Sequence, residues 1–193
     1  MYKAAFKQSG IIEADGFEEM FDMAKAFVMQ PIPKGNRVLV LTNAGGFGVM
    51  ATDALEKLGL EVPETPQTLV EELSRTTKLP PFISLHNPID LTGSVVDEWY
   101  RDVLNVMLKN DFVDAVLLIA LFQVPNLTEK LVDYIVEAKK YGKPVIAVQT
   151  GSEVTKRISK MLEEHGIPVY LSPERAAKSL WALVEYGKWG RRR

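Results

Sequence analysis

The chain has 193 residues, 47% apolar and 25% charged, and its 25 acids against 23 bases give a formal net charge of -2. That length and composition describe a protein with a full apolar core, exclude a disordered chain, and offer no basic excess for nucleic acid. Cysteine is absent, which excludes disulfides, thiol nucleophiles and Cys-ligated metals, and the two histidines stand far apart, which argues against a histidine metal site.

The first thirty residues read as helix, short strand, helix. Residues 37–42 form a buried strand, and Phe47, Met50, Ala51, Ala54, Leu55 and Leu58 recur at helical spacing until Gly59 stops them. Residues 60–62 read as a short second strand. Thr65 is expected to cap a helix with Pro66 at its first position. Residues 76–94 carry Pro80-Pro81 and Asn87-Pro88 and read as one long loop, a length that compact domains keep only for function. Residues 113–121 are the most apolar strand. Asn126 and Glu129 suggest a capping box for the next helix, which Gly142 ends. Residues 144–148, helix 153–164, residues 167–170 and a helix begun by Ser172, Pro173 and Glu174 complete the pattern.

Strands alternating with helices give right-handed βαβ units. The expected fold is α/β: a flavodoxin-like, doubly wound, parallel five-stranded sheet in the order 2-1-3-4-5, with an extra N-terminal helix-strand-helix segment. Ligands of such sheets bind outside the carboxyl ends of the strands where the strand order reverses. Here that crevice lies between residues 42–48 and 122–126. Residues 6–12 and 17–24 parallel residues 162–168 and 173–180 in order of elements. Residues 1–34 therefore read as the remnant of a preceding flavodoxin-like domain, and residues 35–193 as the main domain. Phe6, Phe17, Phe21 and Phe27 must then pack on the main domain, on a second copy or on a partner chain, so a homodimer through residues 1–30 is one expectation. The longest apolar run, residues 115–122, is too short to span a bilayer, and residues 1–30 lack the pattern of a signal peptide. Cytoplasmic residence without a membrane partner is expected. The basic tail Lys188, Arg191, Arg192 and Arg193 reads as a solvated end.

The most informative stretch is Thr42-Asn43-Ala44-Gly45-Gly46-Phe47-Gly48-Val49-Met50-Ala51-Thr52, which leaves the first main strand and opens a helix. Glycines let backbone approach a ligand, and free first-turn amides with the helix dipole favour an anion such as phosphate. The alternative is a turn that only brings helix and sheet together. No lysine follows the glycines, so this is not a Walker loop. Gly46-x-Gly48-x-x-Ala51 also matches a dinucleotide fingerprint. Against that reading, Asn43-Ala44 separates strand from glycine, and the acids Glu61 and Glu64 sit among prolines. In the second stretch, residues 86–94, Asp90 either ties its own loop through backbone amides or orients the glycine-rich loop. His86 reads as a loop histidine, and His165 as a complement to a helix C-terminus.

Residues 36–46, then Asn87-Pro88-Ile89-Asp90-Leu91-Thr92-Gly93, then residues 141–145, 166–170 and 173–176, resemble the NDP-forming acyl-CoA synthetases. These include the ADP-forming acetyl-CoA synthetases, relatives of succinyl-CoA synthetase. The family joins a carboxylate to CoA at the expense of a nucleoside triphosphate, through an acyl-phosphate and a phosphohistidine. The resemblance implies that the chain is a flavodoxin-like ligase domain that binds the phosphoryl group at its glycine-rich helix N-terminus. It carries over Asn43, Ala44, Gly45 and Gly46, with Gly48 in the same stretch, as phosphate-binding residues, and Asn87 and Asp90 as loop-orienting ones. Residues 4–12 resemble the segment after the family's phosphohistidine motif. The phosphohistidine, CoA-binding and ATP-grasp parts are then expected on other domains or subunits as partners. No catalytic residue, tightly bound cofactor or metal is expected on this chain, and alone it is expected to be inactive. Phosphate, CoA and ATP or ADP would be substrates of the full enzyme. Gln149-Thr150-Gly151-Ser152 departs from the Gly-Gly frequent in the family, so nothing is carried over there. A second reading stays open: a stand-alone flavodoxin-like nucleotide- or cofactor-binding or regulatory module using the same crevice. A response-regulator role is disfavoured, because the first and third strands lack terminal aspartates.

Overall fold

In a computed structural model, residues 2–151 and 153–191 of the chain are described; Met1, Ser152, Arg192 and Arg193 lie outside them. The apolar runs form one sheet from β1 (Val38–Thr42), β2 (Ile89–Asp90), β3 (Ala115–Ile119), β4 (Val145–Val148) and β5 (Val169–Tyr170). The order is β2-β1-β3-β4-β5 and every ladder is parallel, the flavodoxin-like arrangement expected from the strand–helix alternation. Alternate residues of a strand face opposite ways. Leu39, Leu41, Val116 and Leu118 enter one apolar layer, and Val38, Val40, Ala115 and Leu117 the other. Both faces are covered, which is why the strands read as unbroken apolar runs.

The helices are α1 (Tyr2–Ser9), α2 (Phe17–Met29), α3 (Gly45–Lys57), α4 (Gln67–Thr76), α5 (Asp97–Lys109), α6 (Lys130–Glu137), α7 (Glu153–Glu164) and α8 (Pro173–Gly190). Leu73 of α4, Leu104 of α5, Leu131 of α6 and Ile158 of α7 fill the first layer. Ala26 of α2, Leu55 of α3 and Leu180 of α8 fill the second. No helix among the described residues is long and apolar enough to cross a membrane.

The outer edge of β1 departs from expectation. Residues 60–62 supply only one parallel bridge, Glu61 to Arg37. Strand pairing resumes at Ile89–Asp90, inside the stretch expected to be loop. Between the two, the Asn87 side chain stands in for a strand. Its Oδ1 accepts from the Val40 amide at 2.9 Å, and its Nδ2 donates to the carbonyls of Val38 at 2.9 Å and Pro63 at 3.0 Å. Prolines 63 and 88 cannot donate ladder bonds, so a side-chain amide satisfies this edge instead.

Two helix starts also differ. Pro66 is extended at ψ 142°, so α4 begins at Gln67, and Thr65 caps nothing: its hydroxyl is buried without a partner among the described residues. At α6 the Asn126–Glu129 box does not form. Thr128 Oγ1 accepts from the Lys130 amide at 3.2 Å, while Asp97 accepts from the Thr128 amide at 2.9 Å. Ser172 does cap α8, accepting from the Arg175 amide at 3.4 Å.

The expected strand between α1 and α2 is not formed. Instead α2 is fastened to the domain. Asp22 accepts two hydrogen bonds from the Arg175 guanidinium at 2.6 and 2.9 Å. Gln30 donates to the Gly166 carbonyl at 2.6 Å and accepts from the Val145 amide at 2.7 Å. Phe27 packs on the second layer, 5.5 Å from the Tyr186 ring. Phe17 and Phe21 instead stack edge to face on each other at 4.8 Å and stay 75% and 56% exposed. At the end of α8 Arg191 donates to the Pro33 carbonyl at 3.0 Å, while Arg192 and Arg193 of the basic tail lie outside the described residues.

Candidate functional site

β1 ends at the carboxyl edge of the sheet, and α3 starts three residues later. Thr42 makes the corner tight by accepting the Ala44 amide on its hydroxyl at 2.9 Å. Asn43 then closes the crevice between the first and third strands. Its Nδ2 donates to the Leu121 carbonyl at 3.0 Å and its Oδ1 accepts from the Leu121 amide at 2.9 Å. Both rims of the expected crevice are therefore held by one buried asparagine.

Ala44 stands at the N-cap without any side-chain cap for α3. The opening amides of a helix have no acceptor within it. Of these, the Gly48 amide reaches back to the Ala44 carbonyl at 3.1 Å. That leaves the Gly45, Gly46 and Phe47 amides without an acceptor among the described residues, both glycines exposed and Phe47 half-buried. They sit at the positive end of a 13-residue helix.

The glycines differ in what surrounds them. A Cβ on Gly45 would lie 2.7 Å from Asp90 Oδ2, so the missing side chain is what admits this carboxylate to the start of α3. A Cβ on Gly46 would meet nothing within 4 Å. Gly48 is buried against Thr42 Cγ2, 3.0 Å from where its Cβ would be, and serves helix–strand packing. Asp90 also accepts the Thr92 amide on Oδ1 at 2.8 Å, and Thr92 turns with φ 64°. One carboxylate thus ties its own loop and faces the glycine-rich helix start.

Of the residues singled out from sequence, Asn43, Ala44, Gly45, Gly46, Gly48 and Asp90 meet at this corner. Only Gly45 and Gly46, joined by Phe47, present free amides; the Asn43 side chain, the Ala44 amide and the Gly48 amide are engaged within the protein. Asn87 lies below the corner on the body of β1. Phe47 and Thr42 stand in the stretch singled out from sequence but not among its named phosphate-binding residues. A hydroxyl residue ending a strand two positions before a helix start was the available sign for Thr42.

His86 is exposed beside Glu64 at 3.5 Å. His165 Nδ1 lies 2.8 Å from the Met161 carbonyl, at the end of α7 as expected. Glu61, one of the acids weighed against the dinucleotide fingerprint, sits against Asn36 at 3.3 Å beside the opposite end of β1 from the glycines. No group of acids and histidines among the described residues is placed to hold a metal ion.

An uncapped helix start with exposed glycines thus lies at the switch point of a flavodoxin-like sheet. Residues 38–192 match the Ligase-CoA domain, and the chain belongs to that family. It is 40% identical over 195 residues to the alpha subunit of acetate–CoA ligase (ADP-forming) II of Pyrococcus furiosus, covering 97% of this chain and 42% of that protein. It is 31% identical to 4-hydroxybutyrate–CoA ligase (ADP-forming) of Nitrosopumilus maritimus, covering 98% of this chain and 27% of that protein. The dinucleotide-forming acetyl-coenzyme A synthetase 1 of Ca. Korarchaeum cryptofilum, solved in complex with phosphate and ADP, superposes with a TM-score of 0.88 at 38% identity, covering 97% of this chain and 41% of that one. The chain therefore spans less than half the length of these relatives.

Proposed function

We propose that the chain is the ligase domain of an ADP-forming acyl-CoA synthetase. In this reading it receives the phosphoryl group of a phosphohistidine or acyl-phosphate on the open amides of α3. The observation that carries it is the exposed Gly45–Gly46–Phe47 corner: three unpaired donors at the positive end of a helix, at the sheet's switch point. Charge that develops on a phosphoryl group in transit is stabilised by donors already aimed at it, without reorganisation. Asp90 occupies the Gly45 side, so the anion approaches over Gly46 and Phe47, where like-charge repulsion is least. Asn43 holds the corner in register with β3.

The histidine, the CoA site and the nucleotide site belong, in this reading, to other domains or subunits. The two exposed phenylalanines of α2 support a docking face for one of them, or for a second copy of this chain. Acetate or a similar small acid is the substrate class that the relatives' names support.

The test is reconstitution with the CoA-binding, phosphohistidine and ATP-grasp parts. Gly45→Val drives a side chain into Asp90 at the helix start, so it should abolish turnover of the phosphohistidine while leaving ATP-dependent phosphorylation of the histidine itself. Unchanged turnover, or acetyl-CoA formed by this chain alone, would contradict the assignment.

A further inference from the structure

A second corner of the same sheet edge carries buried polar groups that nothing above uses. β4 runs out into Gln149, and α7 begins four residues later. Between the start of α7 and the end of β5 lies a cleft of about 310 Å³. Three buried side-chain polar atoms have no hydrogen-bond partner among the described residues, and two of them, Gln149 Nε2 and Thr155 Oγ1, belong to residues lining this cleft. Gln149 and Thr155 are 0% and 4% exposed. Buried polar atoms are nearly always paired, so two orphans on residues that line one cleft point to a partner from outside the chain.

The cleft's chemistry specifies that partner. Gln149 is oriented by Ser159, whose hydroxyl donates to Oε1 at 2.9 Å and leaves the amide N–H group to donate. The Thr155 hydroxyl adds a rotatable donor. The first amides of α7 lack intrahelical acceptors and lie at the helix's positive end. Lys156 and Lys160 line the cleft as well. Lys156 pairs with Glu153 at 2.5 Å and Lys160 with Glu164 at 3.8 Å, all four well exposed. The acid within the lining, Glu163, is matched by Lys25 at 2.8 Å. The preponderance of donors calls for a ligand made of acceptors.

The loop is shaped for this. Gly151 has φ +130°, and a Cβ there would fall 1.7 Å from Gln123 Nε2, so only glycine lets Gln123 reach across and donate to the Thr150 carbonyl at 2.7 Å. The loop after β3 thereby holds the loop that leads into α7.

We propose that this cleft binds a phosphate group, carried by a small ester, with the phosphate oxygens on Gln149 Nε2, Thr155 Oγ1 and the first amides of α7. The cleft is about ten times the ~30 Å³ that a water occupies in the liquid, so there is room for the ester beyond its phosphate. This site is separate from the Gly45–Gly46 corner: α7 covers the opposite face of the sheet from α3.

Titration of the ¹⁵N-labelled chain with inorganic phosphate, glycerol 3-phosphate and acetate tests it. The expected result is saturable shifts of the Glu153–Lys156 amides with both phosphates, tighter for the ester, and none with acetate. Thr155→Val and Gln149→Met should weaken these shifts at least tenfold without moving the rest of the spectrum. Exposed Lys156→Gln should weaken them about threefold, and keeps the test open should Gln149→Met fail to fold. Linear shifts without saturation, saturation by acetate, or phosphate binding unaffected by Thr155→Val would overturn the proposal. Shifts confined to Gly45–Phe47 would overturn it and leave the ligase reading standing; shifts confined to α7 would support it and leave the ligase reading to the reconstitution test.

Discussion

Asp90 Oδ2 lies 2.7 Å from the point where a Cβ on Gly45 would stand, while the same atom on Gly46 would meet open space. Two adjacent glycines are therefore not equivalent. Gly45→Ala should destabilise the chain by roughly 1–3 kcal/mol through overpacking against Asp90. Gly46→Ala should be neutral or stabilising by about 0.4–1 kcal/mol, because it restricts only the unfolded chain. Urea unfolding of both variants measures this. Asp90→Ala should recover most of the Gly45→Ala loss, a coupling that a double-mutant cycle reads directly.

Asn87 replaces a missing stretch of strand along β1. Asn87→Ala removes three hydrogen bonds and leaves the Val40 amide and the Val38 carbonyl without partners at a buried edge. A loss of about 2–4 kcal/mol is expected, because each orphaned buried group costs on the order of 1–3 kcal/mol and the terms overlap. Asn87→Asp should not rescue it, since a carboxylate cannot donate to the Val38 and Pro63 carbonyls.

Gln30 joins the N-terminal segment to the main domain through Gly166 and Val145. With Asp22 on Arg175, this keeps α2 docked in the intact chain. Limited proteolysis should therefore not remove residues 1–29 ahead of global unfolding. Gln30→Leu, which orphans the Val145 amide, should release that segment earlier. Rapid loss of it from the unaltered chain, with the rest intact, would contradict the packing.

Arg37 and Asp114 brace the opposite end of the sheet, with two guanidinium hydrogen bonds at 2.8 and 3.0 Å and one from the Arg37 amide at 3.1 Å. Burial pushes the Asp114 carboxyl up, but the hydrogen bonds and charge of Arg37 outweigh it and hold the carboxyl below its ordinary range. A carboxyl depressed by folding adds stability above its unfolded pKa of about 3.9, and that stability is lost as pH falls through the folded value. Unfolding free energy should thus decline below about pH 4 more steeply in the unaltered chain than in Asp114→Asn.

The sheet was legible in sequence because β1, β3 and β4 are buried on both faces and must be apolar throughout. The edge was not. Its bonds to β1 come from Glu61, a side chain and two residues of β2, and a two-residue strand among prolines has no period to read. Helix starts failed where distant contacts set the turn, as at α6, where Asp97, a partner 31 positions away, accepts from the Thr128 amide and the N-cap residue makes no side-chain cap. At the site, Gly45 and Gly46 could be read from their place after a strand. That Asn43 clasps Leu121 and that Asp90 enters at Gly45 depend on contacts 78 and 45 residues apart, beyond any local pattern.

The proposed role of the first amides of α3 is to receive a phosphoryl group. Its most direct measurement is the position of the phosphoryl group in a structure of the reconstituted enzyme trapped with phosphorylated histidine. Phosphate oxygens are expected within hydrogen-bond distance, about 2.7–3.2 Å, of the Gly46 and Phe47 amides, on the side away from Asp90. A phosphohistidine that is fully ordered elsewhere, with those amides facing water in every step of the cycle, would contradict it.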